Sequence, residues 1–441
     1  MKLMNLTKSL AMQEASKRRI PGMNQLLSKR PDMFSLGVWP GYYQRAKGVE
    51  VWDLDGNRYI DMSIGGIGAN VLGYADPDVN AAVTAAIDNG SSSSLNCPEE
   101  VELADLLCEI HPWAEKVRFA RGGGEGMAIA VRIARAFTGR DIVAVCGYHG
   151  WNDWYLAVNL ERPDGLNDLL LPGLEPRGVP RGLRGTVVPF PYNRLDILKT
   201  IIKEHGKDLA AIVIEPIRGS DPTPEFLPGV RALADEAGAV LVVDEVSAAF
   251  RLNSGGAHLL YGLTPDIAVF SKAMGNGYPI AAVIGKGQFM DAAELTFMSS
   301  TMWSERVGPT AALATIQKHR TLNVGKHLVK IGKQVQEGWK QIAQRHALTI
   351  NVGGIYPASH FNFEHEHPLA IKALYVQLML EQGFLASNLC YAMYAHTSDH
   401  VVKYLEATDR AFGEIAVAIR AGDVEKRLNG KPANAGFRRL A

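Results

Sequence analysis

The chain has 441 residues, of which 47% are apolar and 21% charged, with 46 basic side chains against 46 acidic ones. A chain this long removes about three quarters of its unfolded surface from water on folding, which excludes disorder and small cross-linked scaffolds. Balanced charge offers nucleic acid or an anionic membrane no attraction, so small molecules are the expected ligands.

The N-terminus carries Lys2, Lys8, Lys17, Arg18 and Arg19 without a continuous apolar run, so no secretory signal is expected there. No apolar stretch approaches the roughly 18 residues that a membrane span needs. The cysteines, Cys97, Cys108, Cys146 and Cys390, form no CxxC pair and suit a reducing compartment. A cytoplasmic location is the expectation.

In chain order, the segment up to Arg45 mixes helix-like and irregular stretches. Val49–Met62 then alternates apolar and polar residues around Asp55-Gly56, which predicts a hairpin. Helices are expected at Asp78–Asp88 and Glu99–Ile110. After them, short apolar strands alternate with amphipathic helices, the pattern of a mainly parallel sheet covered on both faces. The strands are Val117–Ala120, Ile142–Cys146, Leu209–Pro216, Ala239–Val246, Ile267–Ser271 and Ala281–Gly285. Helices fall at Glu125–Phe137, Leu195–His205, Gly229–Ala237, Pro309–His319 and Gly325–His346. Arg162–Gly185, rich in Pro and Gly, reads as a long loop, and the last third as a second, smaller domain.

Three stretches carry chemistry. Arg118-Phe-Ala-Arg-Gly-Gly-Gly-Glu-Gly126 runs from a strand through glycines into a helix, where backbone N–H groups can approach an anion. A plain tight turn explains it equally well when it is taken alone. Val240-Leu-Val-Val-Asp-Glu-Val246 ends an apolar strand in a carboxylate, and the carboxyl ends of strands face the ligand crevice of an open α/β sheet. A helix cap or a solvated strand end is the simpler account of Asp244 in isolation. Asp266-Ile-Ala-Val-Phe-Ser-Lys272 places a lysine between a strand and a glycine-rich loop, where desolvation would lower its pKa. Taken together, the glycine cradle, the acid and the lysine are what pyridoxal phosphate requires: donors for its phosphate, a partner for its ring nitrogen and an amine for its aldehyde.

The chain resembles the class III, ornithine-type pyridoxal-phosphate aminotransferases, and most of all their glutamate-1-semialdehyde aminomutase branch. The likeness runs from about Tyr43 to about Phe412. It is carried by Val51-Trp-Asp-Leu-Asp-Gly-Asn-Arg-Tyr-Ile-Asp61, Glu125 to Arg140, Tyr148-His-Gly150, Ala211-Ile-Val-Ile-Glu-Pro216, Leu241-Val-Val-Asp-Glu-Val246, Phe270-Ser-Lys-Ala-Met-Gly275 and Ser300-Thr301. The resemblance implies the fold type I architecture, a mainly parallel seven-stranded sheet sandwiched by helices in a large domain at 66–320. A smaller α+β domain would be built from 1–65 and 321–441.

It further implies that Lys272 forms the Schiff base and shuttles the substrate proton, and that Asp244 pairs with the pyridinium nitrogen. Val246 and Tyr148 would cover the two ring faces, and Gly123 and Gly124 would donate to the phosphate. Glu215 would lie on the substrate side of the cofactor. Thr301 would reach the phosphate of a neighbouring subunit, making a homodimer part of the site. Glutamate is the implied amino donor, and a small keto or aldehyde metabolite is the expected acceptor, a sugar or polyol derivative being one candidate.

The chain also departs from the family. Gly122-Gly123-Gly124 stands where Ser-Gly-Thr is common, which removes two hydroxyl donors and leaves Arg121 as a replacement charge or a solvated side chain. Ile64-Gly-Gly-Ile-Gly-Ala-Asn70 lacks the tryptophan of the aminomutase branch, and Thr301–Pro309 departs from its Gly-Asn-Pro pattern. The aminomutase, which moves the amine within one molecule, therefore stands as an alternative. A dinucleotide-binding oxidoreductase and a catalytically silent relative are further ones. His365-Glu-His367 and His396-Thr-Ser-Asp-His400 lack a third ligand at recognisable spacing, so no metal is expected.

Overall fold

The computed structural model describes residues 5–167, 169, 172–217 and 219–436. It divides into two compact units, Met1–Asp76 with Lys326–Ala441, and Pro77–Gly325. Residues 66–76 therefore group with the N-terminal segment rather than with the large domain. The reason is local: Tyr74 Oη donates to Asp61 Oδ2 at 2.5 Å, and Tyr74 bridges to Gly48.

In the first unit, strands β1 (Tyr43–Lys47), β2 (Glu50–Asp53) and β3 (Arg58–Met62) form an antiparallel meander. The Asp53 carboxylate closes the β2–β3 turn by accepting from the amides of Asp55 and Asn57, both at 2.9 Å. The C-terminal third supplies β11 (Ile350–Gly353), β12 (Ala358–Phe363), β13 (Phe384–Ala386) and β14 (Leu389–Tyr391). Of these, β13 joins β3 in parallel, so distant parts of the chain share one sheet. His396, which the sequence offers as one of a metal pair, is fully buried; its Nε2–H donates to Asp61 O and its Nδ1 accepts from Met393 N. Both ring nitrogens are thus used by backbone.

In the second unit, β4 (Lys116–Ala120), β5 (Ile142–Cys146), β6 (Val187–Pro189), β7 (Leu209–Ile214), β8 (Val240–Asp244), β9 (Ile267–Phe270) and β10 (Ala281–Gly285) form one sheet in the order β4-β10-β9-β8-β7-β5-β6. All neighbours are parallel except around β10, which runs antiparallel to both β4 and β9. The edge strand β6 has no counterpart among the strands read from the sequence. It is three residues long and ends in Pro189, too short to show a period and tolerated only at an edge.

Central strands β7 and β8 are buried at every residue, as continuous runs of Val, Ile, Leu and Ala require once helices cover both faces. Each such aliphatic side chain contributes roughly 1.5–3 kcal/mol when fully buried. The helix Gly123–Thr138 packs an apolar face that includes Met127, Ile133 and Ala134 onto this sheet. Strand β8 stops at Asp244 and β7 at Ile214, each two residues short of the expected end, so Glu245, Val246 and Glu215 belong to the turns at the strands' carboxyl ends. In the loop Arg162–Gly185, positions 168, 170 and 171 lie outside the described residues.

Candidate active site

The second unit brings the predicted strand-end residues onto one edge of its sheet. At the end of β8, the Asp244 carboxylate is buried and doubly held. Oδ2 accepts from His149 Nδ1–H at 2.8 Å and Oδ1 from Val246 N–H at 3.0 Å. The partner, His149, is 1% exposed, and its other ring nitrogen, Nε2, is buried with no hydrogen-bond partner among the described residues. Sequence reasoning passed over His149 as part of the Tyr-His-Gly motif. Its signal was the motif itself, an imidazole fixed between Tyr148 and a glycine just after β5.

That glycine-flanked loop is tightly packed. Gly147 has φ +128°, and a Cβ there would lie 2.5 Å from Glu215 Oε2. Glu215 Oε2 accepts from Tyr148 N–H at 3.1 Å, so the carboxylate holds the Tyr148 backbone. Tyr148 is 38% exposed, and its ring makes an edge contact with that of Tyr155.

Lys272 follows β9 with φ +45°, a left-handed conformation unfavourable for a lysine and held by the surrounding chain. Its Nζ donates to Ser247 Oγ at 2.7 Å. Burial, and after it the nearby Arg251 guanidinium, bring its pKa down to about 8, against the opposing pull of Asp244 and Glu215. An amine of this kind is neutral often enough near neutral pH to act as nucleophile or base.

At the end of β4, the helix Gly123–Thr138 begins after its N-cap residue Gly122. Glu125 folds back so that its Oε2 accepts from the amides of Arg121 and Gly122, each at 3.0 Å. The first-turn amides of Gly123 and Gly124 are those for which a helix has no internal acceptor. The space around them is full. A Cβ on Gly123 would lie 2.7 Å from Val246 Cγ1, and one on Gly124 would lie 3.2 Å from Asn152 Oδ1 and 3.5 Å from Trp151 Cδ1. Val246 thus leaves no room for a side chain at 123, whereas at 124 Trp151 would be in ordinary contact and Asn152 would need to give by a few tenths of an ångström.

Arg121 is neither a cradle charge nor solvated. Its Nε pairs with Glu305 Oε1 at 2.9 Å and its Nη2 donates to the carbonyls of Trp303 and Glu305. Glu305 in turn caps the helix Val307–Thr321 by accepting from the amides of Val307 and Gly308. Both side chains are spent on fastening the segment that follows Thr301. Thr301 itself is exposed, at the start of a short 3-10 turn, a few residues along the chain from Leu295 and Phe297, which are 80% and 85% exposed.

Backbone donors beside a helix N-terminus, a fixed carboxylate and a low-pKa lysine make a donor set that suits a phosphorylated aromatic aldehyde. The crowding of Gly123 by Val246 shows how closely the cradle approaches the end of β8. Among the described residues, no group of three or more His, Cys, Asp or Glu could hold a metal, and no helix is long and apolar enough to cross a membrane.

Comparison with known proteins agrees with this donor set. The family model for aminotransferase class-III matches residues 37–394. The 3-aminobutyryl-CoA aminotransferase of Cloacimonas acidaminovorans (strain Evry) is 31% identical over 428 residues, covering 93% of this chain and 98% of that protein. Among solved structures, the FumI protein of Sphingopyxis sp. MTA144, in its PLP internal aldimine form, superposes with TM-score 0.84 at 27% identity, over 97% of this chain and 99% of its own. A glutamate-1-semialdehyde aminomutase from Pseudomonas aeruginosa PAO1 shares the fold at TM-score 0.78 and 20% identity, over 93% of this chain and 97% of its own.

Proposed function

Because the chain belongs to the class-III aminotransferases, whose cofactor is pyridoxal phosphate, we propose that it moves an amino group from glutamate to a small keto or aldehyde metabolite, with Lys272 bonding the cofactor's aldehyde. The observation that carries this reading is the half-buried Lys272, whose amine has its pKa lowered to about 8 and stands one strand away from the Asp244 carboxylate. When bound, the cofactor supplies an electron sink for the carbon that loses its proton.

The chain's own residues supply the rest. Lys272 Nζ takes the proton from the substrate carbon and returns it. Asp244 presents a charge that cannot rotate away, since one oxygen is tied to His149 and the other to the Val246 amide. That preorganisation suits it to a protonated ring nitrogen. Val246 and Tyr148 are the side chains for the two ring faces, and the Gly123 and Gly124 amides are the phosphate donors. Glu215 is assigned to the substrate side of the cofactor, where its carboxylate also holds the Tyr148 backbone.

Thr301 is assigned to the phosphate of a neighbouring subunit, in a cytoplasmic homodimer. The exposed Leu95, Leu295, Phe297 and Met302 support such an interface, because a monomer seldom leaves so many large apolar side chains in water. A second reading, that the amine sits on a β-carbon, draws on the likeness to a 3-aminobutyryl-CoA aminotransferase.

The test is a visible spectrum of the purified protein with glutamate, 3-amino acids, their coenzyme A thioesters and amino-aldehydes added in turn. Bleaching by glutamate supports the first reading, and bleaching only by 3-amino compounds the second. A keto acid added afterwards should regain the band and release product amine; failure with every separate acceptor, together with conversion of an amino-aldehyde alone, would turn the assignment to an aminomutase. An absent band after incubation with pyridoxal phosphate would remove it altogether.

A further inference from the structure

We propose that Ser247 is a positioning residue for Lys272, its hydroxyl holding the lysine amine whenever that amine is not bonded to the cofactor. The inference rests on the reading of Lys272 as the reactive lysine. The direct observation is the 2.7 Å bond from Lys272 Nζ to Ser247 Oγ. Residue 247 is well placed to do this, because it lies in the turn just after β8 and is anchored from its other side. The buried Arg251 donates its Nε–H to the Ser247 carbonyl at 2.6 Å. Next to it, the Val246 amide is bonded to Asp244. The hydroxyl is therefore carried on a backbone whose position is set by the same contacts that set the acid.

The chemistry follows from the direction of the bond. An Nζ–H donated to Oγ uses one amine hydrogen and leaves the nitrogen lone pair for a proton. Once protonated, the ammonium retains the same bond, since all its hydrogens donate. A hydroxyl acceptor stabilises the charged form more than the neutral one, so Ser247 opposes the lowering that burial and Arg251 impose, in company with Asp244 and Glu215. The proposed result is an amine kept in place and kept from losing too much basicity. Alanine at 247 would remove the hydroxyl and spare the carbonyl that Arg251 uses.

The test measures Lys272 itself. The full chain, stripped of cofactor, is pulsed with acetic anhydride between pH 6 and pH 11, and the peptide containing Lys272 is quantified by mass spectrometry. For Ser247→Ala the midpoint of that labelling curve should move down by about half a pH unit, a roughly threefold change in the neutral fraction at a given pH. Ser247→Thr, which retains a hydroxyl, should follow the wild-type curve. Ser247→Cys, a weak acceptor of similar size, should follow Ser247→Ala and serves if the alanine variant does not fold. Coincident curves for wild type, Ser247→Ala and Ser247→Cys would overturn the proposal.

Borohydride reduction of the cofactor-loaded wild type, followed by peptide mapping, separates the two levels of the argument. Cofactor fixed to the Lys272 peptide together with coincident curves removes only the role of Ser247. Cofactor fixed to another lysine removes the Lys272 reading and the role of Ser247 with it.

Discussion

Two carboxylates stand side by side at the end of β8, and each has a buried histidine. Asp244 pairs with His149 Nδ1 at 2.8 Å, while Glu245 pairs with His258 Nδ1 at 2.7 Å. Their surroundings differ. Glu245 Oε1 also accepts from His258 N–H, and His258 Nε2 accepts from Trp113 Nε1–H, which closes that ring within the protein. His149 Nε2 has no such partner among the described residues, and Asp244 shares its strand end with the glycine cradle and the lysine strand. Two nearly identical pairs are thus set apart by what lies beyond the histidine, and chemistry is assigned to one and stability to the other.

That division can be broken most directly by Asp244→Asn, which retains shape and removes charge. We expect the rate of the half-reaction with an amino donor to fall by about 10²–10³-fold, the usual effect of losing a preorganised electrostatic partner, with the melting temperature little changed. A variant that loses stability but retains its rate would reverse the roles assigned to the two pairs. Glu245→Ala should do the opposite: about 3 kcal/mol less stable in urea, because His258 loses a charged acceptor in a dry site, with turnover per folded molecule within about threefold of wild type.

Protonation sharpens the comparison from the stability side. His111, against the Glu245 network, and His319 are both held near pKa 4 by burial, which outweighs their backbone hydrogen bonds. The unfolded chain binds their protons from about pH 6.5 downwards, whereas the folded chain does not until about pH 4. Stability should therefore be level above pH 6.5 with respect to these groups and fall between 6.5 and 4, by up to about 3 kcal/mol for each histidine. Urea midpoints measured across that range will check it; no slope would mean that these rings take up protons in the folded state.

Smaller changes probe each side further. Gly123→Ala places a Cβ against Val246 and should weaken cofactor retention about tenfold, roughly 1.4 kcal/mol, read by equilibrium dialysis. Trp113→Phe should cost about 1 kcal/mol of stability, one net hydrogen bond, and leave cofactor retention as it was. Equal retention in Gly123→Ala and wild type would argue that the cradle is not where phosphate sits.

Much of this was legible in the sequence. The apolar strands of the large sheet, the Asp55-Gly56 hairpin and most helices follow from period and turn chemistry, as the coincidence of β5, β10 and Leu195–His205 with their expected bounds shows. The cofactor was legible too, because the glycines, Asp244 and Lys272 fall in order along the chain and their types match it, and the family was legible by resemblance of the stretches around them. Four features were not. The edge strand β6 is too short for a pattern. Arg121 read equally as a cradle charge or a solvated side chain, and only its ion pair with Glu305, far along the chain, shows that it is spent elsewhere. Ser247 carries no sequence signal, and the Tyr-His-Gly motif that holds His149 does not reveal its partner, which is distant in sequence.

Sequence by itself determined which segments are strands, where backbone can turn into a helix without side chains, and which residue types stand at the strand ends, because these depend on local period, sterics and composition. Tertiary structure alone decided which histidine meets which carboxylate, where the guanidinium of Arg121 goes and what the lysine amine touches. Those contacts join residues tens to hundreds of positions apart, and their geometry exists only once the sheet has aligned its strands.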